Sequence, residues 1–126
     1  MLLNYFIHSA DLAHNAKPFE ISLKWVELLS EEFWLQGDLE KSKGMTISFL
    51  CDRNKVDIPA SQIGFIRGFV ITIFDNLVAM FPTLNYTIDN AMNNINEWKK
   101  LQDQHRLRGW TPEKKQNKNE EKISKI

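Results

Sequence analysis

Residues 62–81 read QIGFIRGFVITIFDNLVAMF, a run that is apolar nearly all round. About twenty residues of this kind approach the length that crosses a bilayer. Gln62, Arg67, Asp75 and Asn76 interrupt it, however, so the run predicts a buried central helix on which the remaining elements pack. Pro59, Ala60 and Ser61 suit its start, because proline is tolerated in a first helical turn. Pro82 ends it.

Working outward, Phe19 to Gln36 carries Ile21, Trp25, Leu28, Leu29 and Phe33 at three-to-four-residue spacing, the pattern of an amphipathic helix. Gly37 is expected to break it and Asp38 to cap a short polar turn through Lys43. Met45 to Ile58 shows no clean period and reads as irregular structure packed on the domain. A further helix is predicted from Thr83 to Leu107, with Leu84, Ile88, Met92, Ile95 and Trp98 as its inner stripe. At the other end, Leu2, Leu3, Phe6 and Ile7 recur at helical spacing with no capping residue before them, so the chain is expected to start inside a helix. Asn15 and Pro18 disfavour helix over Ala13 to Pro18, which leaves Asp11 at a helix end. The fold class is all-α. From Gly109 onward there is almost nothing to bury, which predicts a disordered, weakly basic tail.

The whole chain has 126 residues and is 43% apolar, enough for one helical domain. Sixteen basic residues balance sixteen acidic ones, so no overall field attracts nucleic acid or an anionic membrane surface. The single cysteine, Cys51, cannot form an internal disulfide and fits a reducing, cytoplasmic setting. There are three histidines, no Gly-rich phosphate loop and no Ser or Cys nucleophile signature. His8 and Asp11 can face the same way and approach one cation, or be a structural imidazole and a helix-end carboxylate. Gln62 lies three residues before Phe65 on one helix face, where an amide and a ring suit a planar polar ligand. Helix-start bonding by Gln62 and core packing by Phe65 account for the same pair more simply, because core aromatics at helical spacing are common.

His8-Ser9-Ala10-Asp11-Leu12, Lys17-Pro18, Trp25, Glu32-Phe33, Gln36-Gly37-Asp38-Leu39-Glu40, Cys51-Asp52-Arg53 and Ser61-Gln62-Ile63-Gly64-Phe65-Ile66 occur in that order. Together, from about Leu2 to Trp98, they resemble the second half of class I 3',5'-cyclic nucleotide phosphodiesterases. The resemblance implies the C-terminal helical subdomain of the HD-type catalytic fold over residues 1–108, with residues 109–126 as the tail. It implies Asp11 as a ligand of the tighter of two metal ions, and an oxygen ligand suits zinc. It implies Gln62 hydrogen-bonding the purine, Phe65 stacking on it, Leu29 as the opposite apolar jaw, Leu50 lining the pocket and His14 near the base. His8 matches a family histidine that is not a ligand and is left structural.

The implied reaction is hydrolysis of cAMP or cGMP to the 5'-monophosphate in signal transduction, with zinc and magnesium or manganese in the complete domain. No catalytic residue is assigned here, because the general acid, the other histidine ligands and the bridging Asp belong to the family's N-terminal half. The expected partners are a cyclic nucleotide and the missing N-terminal half or a full-length relative, with no nucleic acid and no membrane span. The rival reading is a non-catalytic helical interaction module derived from a phosphodiesterase. Arg67, Ile71 and Thr72 depart from the family pattern, where many members have an acidic residue and a kink, and predict a straighter central helix.

Overall fold

The computed structural model describes residues 1–107, so the tail expected from Gly109 lies outside the described residues. Five α-helices follow in order: α1 (Leu2–Asp11), α2 (Phe19–Ser42), α3 (Ile58–Phe65), α4 (Ile71–Met80) and α5 (Asn85–Leu107). A 3-10 turn, Ala13–Ala16, joins α1 to α2, and another, Pro82–Leu84, leads into α5. No strand occurs among the described residues.

The central run starts as expected. Asp57 caps α3 by accepting from the Ala60 amide at 3.1 Å, with Pro59 in the first turn. It is not a regular α-helix throughout. Ile66–Val70 forms a π-helical turn between α3 and α4, closed by the Ile71 amide donating to the Ile66 carbonyl five residues back. Nor is it covered on all sides. Ile66, Val70, Phe74 and Leu77 form a buried stripe, whereas Phe69 is 60% exposed. The 23 residues Ile58–Met80 are long and apolar enough to cross a membrane by length and composition. Their buried stripe instead meets Ala91, Ile95 and Trp98 of α5, Val26 of α2 and Ala16 of the first turn in one core cluster.

Helix α2 departs further from the pattern. It continues through Gly37 to Ser42, 24 residues in all. Gly37 is buried, and a Cβ there would lie 2.0 Å from the Cys51 carbonyl oxygen. The glycine is therefore a site of close backbone approach and not a stop. The buried positions of α2 are Ser22, Val26, Ser30 and Gly37, small residues that let neighbouring elements come close. The expected inner stripe faces outward, with Trp25 54% and Leu28 68% exposed.

On α5 the expected stripe is shifted. Met92 is exposed, and the inward positions are Thr87, Ala91, Asn94, Ile95 and Trp98. Asn94, wholly buried, donates from Nδ2 to the carbonyls of Asn15 and Lys17, both at 2.9 Å. Asn90 donates to the Ala16 carbonyl at 3.0 Å. The segment Ala13 to Lys17 has few internal bonds to offer its own carbonyls, so α5 supplies them. Trp98 packs edge-on against Phe19 at 5.2 Å, which fixes the start of α2. Helix α1 is held by the Tyr5 hydroxyl, which donates to the Ile73 carbonyl at 2.7 Å.

Two substitutions test this frame by chemical denaturation. Asn94→Leu keeps the volume but strands carbonyls that it served, and is expected to cost about 1–3 kcal/mol for each one left unpaired. Gly37→Ala is expected to lower stability by roughly 1–3 kcal/mol through overpacking against Cys51, and a neutral result would contradict the close approach.

Candidate functional site

The residues of the Gln36 to Glu40 and Cys51 to Arg53 motifs act together to pin the segment between α2 and α3. Glu40 accepts from the Ser48 amide at 2.7 Å and hydroxyl at 2.6 Å, and from the Gln36 amide at 2.9 Å. The two Ser48 bonds and that from Gln36 hold its carboxyl below the usual carboxylate range. Arg53 pairs with Asp38 at 2.6 Å, lies 3.9 Å from Glu31 and stands over the Trp34 ring at 5.6 Å. Burial, and then the charge of Glu40, raise the Cys51 thiol above its ordinary range. Thus Cys51 is a packed wall residue and not a reactive one.

That pinned segment carries Leu50, whose φ of +66° is unusual for a residue with a side chain. Leu50 is thereby turned onto a cavity of about 20 Å³ formed with Leu29, Ser30, Phe33, Val56, Ile58, Ser61 and Gln62. Three of the expected ligand contacts, Leu29, Leu50 and Gln62, therefore meet in one place. The Gln62 Oε1 atom is buried there without a hydrogen-bond partner among the described residues. An orphaned buried acceptor costs about 1–3 kcal/mol, and a donor on an entering group would recover it. The space is small. About one water fits, so a planar ring needs the Leu50 wall or the Phe33 side chain to move aside.

Phe65 does not line this cavity. It lies one turn further along α3, is half-buried against the core cluster and tilts on Phe69 with ring centroids 5.6 Å apart. His14 is in the 3-10 turn, its ring stacked on Trp25 at 6.3 Å and 29°. Trp25, Leu29 and Phe33 are spaced by four along α2, so they form one row with His14 at one end and the Gln62 cavity at the other. This stack was not legible in the sequence, where His14 and Trp25 are eleven positions apart in different elements.

The Asn15 Nδ2 donates to the Leu12 carbonyl and lies within hydrogen-bonding distance of His14 Nε2, both at 3.2 Å. Nδ1 is buried and has no partner among the described residues. Burial, then the charge of Lys17, lower the His14 pKa below the ordinary imidazole value.

Asp11 is exposed on the last residue of α1. His8, also exposed, completes no cluster with it, for no group of three His, Cys, Asp or Glu residues that could hold a metal ion occurs among the described residues. The chain offers one carboxylate oxygen donor at this end of the row, which is too few to hold a cation by itself.

The all-helical frame thus brings the Gln62 amide together with Leu29 and Leu50, and leaves the Asp11 carboxylate exposed at the end of α1. The family model described as 3'5'-cyclic nucleotide phosphodiesterase matches residues 1–91, and the chain belongs to that family. It is 38% identical over 98 residues to the probable 3',5'-cyclic-AMP phosphodiesterase pde-4 of Caenorhabditis elegans, covering 77% of this chain and 14% of the relative. It is 49% identical over 74 residues to 3',5'-cyclic-AMP phosphodiesterase isoform F of Drosophila melanogaster, covering 59% and 11%. The mouse high affinity cGMP-specific 3',5'-cyclic phosphodiesterase 9A is 34% identical over 88 residues, covering 70% and 16%. The solved structure of LmjPDEB1 in complex with IBMX superposes with a TM-score of 0.72 at 32% identity, covering 79% of this chain and 30% of that one. The chain therefore spans about a seventh of the length of the first of these relatives.

The state of His14 predicts a pH dependence. Its pKa is lowered in the fold, so the unfolded chain binds more protons between the lowered value and the ordinary one near 6.5. The stability this contributes is complete above about pH 6.5 and is lost as pH falls through and below it. In denaturation curves taken across this range, His14→Gln is expected to remove that component; an unchanged pH profile would show that His14 does not titrate in this way.

Proposed function

We propose that this chain supplies the nucleotide-base pocket and one metal-ligating carboxylate of a 3',5'-cyclic nucleotide phosphodiesterase domain, acting on cAMP, cGMP or both. The observation that carries the reading is the buried, unpartnered Gln62 Oε1 facing Leu29 and Leu50 in one cavity. A purine edge offers donors and acceptors in a plane, and an amide can meet either pattern by turning, since its oxygen and nitrogen ends exchange roles. His14 adds a ring nitrogen, Nδ1, at the far end of the same α2 row. Phe65 stacks on the base in this reading once its ring leaves Phe69, a rearrangement within reach of a half-buried side chain.

Asp11 provides one oxygen ligand to a divalent ion, zinc with magnesium or manganese beside it, whose other ligands this sequence does not contain. When bound, the ions supply an activated hydroxide and offset phosphoryl charge in hydrolysis to the 5'-monophosphate. The residues of this chain hold and orient the nucleotide. The setting proposed is the cytoplasm, in cyclic-nucleotide signalling.

A second reading, a helical module that docks on the other half of such a domain or on a full-length relative without catalysing, is favoured by one observation. Ile21, Leu28, Leu35 and Leu39 leave an apolar face of α2 exposed. Intact mass from the native source separates the two. A stable product of this length favours the module, and a longer chain alone favours the pocket reading.

The direct test grafts the 98 matched residues into the corresponding segment of the Caenorhabditis elegans relative and measures hydrolysis. The graft is expected to turn over cyclic nucleotide, with Gln62→Ala lowering kcat/KM roughly ten- to hundredfold, as a lost hydrogen bond with partner desolvation does. Asp11→Ala is expected to reduce activity at least about tenfold through weaker metal binding. The isolated 126-residue chain with zinc and magnesium is expected to show no turnover. Full activity in the grafted Asp11→Ala variant would remove the metal assignment.

A further inference from the structure

Helical spacing sets Phe65 on the same face of α3 as Gln62, yet of the two only Gln62 lines the small cavity with Leu29 and Leu50. The Phe65 ring is engaged elsewhere. The π-helical turn Ile66–Val70 begins directly after Phe65 and contains Phe69, whose ring tilts on that of Phe65 with centroids 5.6 Å apart at 35°. Phe69 is 60% exposed and belongs neither to the buried core cluster nor to the half-buried residues packed on it. Among the described residues its ring pairs with Phe65 alone. A large ring so placed adds little to the core, and what it holds is the neighbouring ring. No neighbouring element comes within 4 Å of where a Cβ would stand at Gly64 or Gly68, each one position before one of the two rings. This face of the helix is open.

We propose that Phe69 is a positioning residue for nucleotide binding: it parks the Phe65 ring away from the Gln62 cavity, and the entering base competes with it for that ring. The inference rests on the pocket reading above, with Phe65 as the stacking ring. An aromatic face can be met by Phe69 or by a purine, so leaving the first for the second exchanges like for like. The exchange also lowers the apparent affinity, because the nucleotide binds only the fraction of chains whose Phe65 ring is free. How far it lowers it is set by the strength of one aromatic pair, here with one member mostly in water. Stacking reads the face of a base and the Gln62 amide reads its edge, so the parked ring acts on cAMP and cGMP alike.

Titration of the full 126-residue chain with cAMP and with cGMP, read from the methyl resonances of Leu29 and Leu50, tests this. Phe69→Ala and Phe69→Leu are each expected to lower the apparent Kd roughly two- to tenfold for both nucleotides, as release of one aromatic pair does. Phe65→Ala is expected to raise Kd, and adding Phe69→Ala to it to change nothing further. A ring that only supported the fold would weaken binding when removed, so the sign separates the two roles. Unaltered or weaker binding in both Phe69 variants overturns the inference, as does an equal gain when Phe65 is already alanine, and either result leaves the pocket reading standing. No nucleotide response at Leu29 and Leu50 in any variant removes the pocket reading and the inference with it.

Discussion

The buried amide of Asn94 ties the two ends of the described chain together. It bonds carbonyls 77 and 79 positions earlier in sequence, in a short segment outside the long helices where Asn15 and Ala16 are buried. Remove those bonds in thought and the Ala13 to Lys17 turn has no reason to keep its shape. With them, the turn presents the His14 ring to Trp25 and delivers Phe19 onto Trp98, and the direction of α2 follows. Leu29, Ser30 and Phe33 of the site are positions along α2 measured from that starting point.

The second constraint is the segment between α2 and α3, which has no regular structure to hold it. It is fastened at three points, Ser48 on Glu40, Arg53 on Asp38, and the Cys51 backbone against Gly37. The ion pair is exposed and worth little by itself. The close backbone contact and the hydrogen bonds to Glu40 do more, because they set where Leu50 stands relative to Gln62. The motif residues Gln36 to Glu40 and Cys51 to Arg53 are therefore largely a fastening for a wall of the cavity, which Leu50 and Val56 of this segment line.

Much of the architecture was legible from spacing alone. The central run, the long final helix, the start near Pro59 and the helix-end position of Asp11 all follow from proline placement and apolar period. The site was legible only through the resemblance, since Gln62 and Leu50 are unremarkable residues until something brings them to one cavity. What period could not show was direction. An apolar stripe says that a helix has a face to cover, and on α2 the small residues Ser22, Val26 and Ser30 took the inner side while the larger ones stayed outside. The same limit put Met92 where Asn94 belongs, because a buried asparagine with two carbonyl partners looks, in sequence, like a surface residue. Gly37 read as a helix stop for a similar reason, its meaning lying in a backbone fourteen residues away. Phe65 was expected beside Gln62 from helical spacing, but one turn of α3 was enough to hand it to the core.

The π-helical turn at Ile66–Val70 has one residue more than a regular helix would use there. It acts as a phase shifter. Upstream of it, α3 is keyed to the Leu50 wall through Gln62; downstream, α4 is keyed to α5 through Phe74 and Leu77. Each half can thus satisfy its own neighbour without the two agreeing on a common rotation. Deleting a single residue from the turn would give a more regular helix and about 100° of misalignment between its ends, so regularity and ligand geometry are in direct competition at this point of the chain.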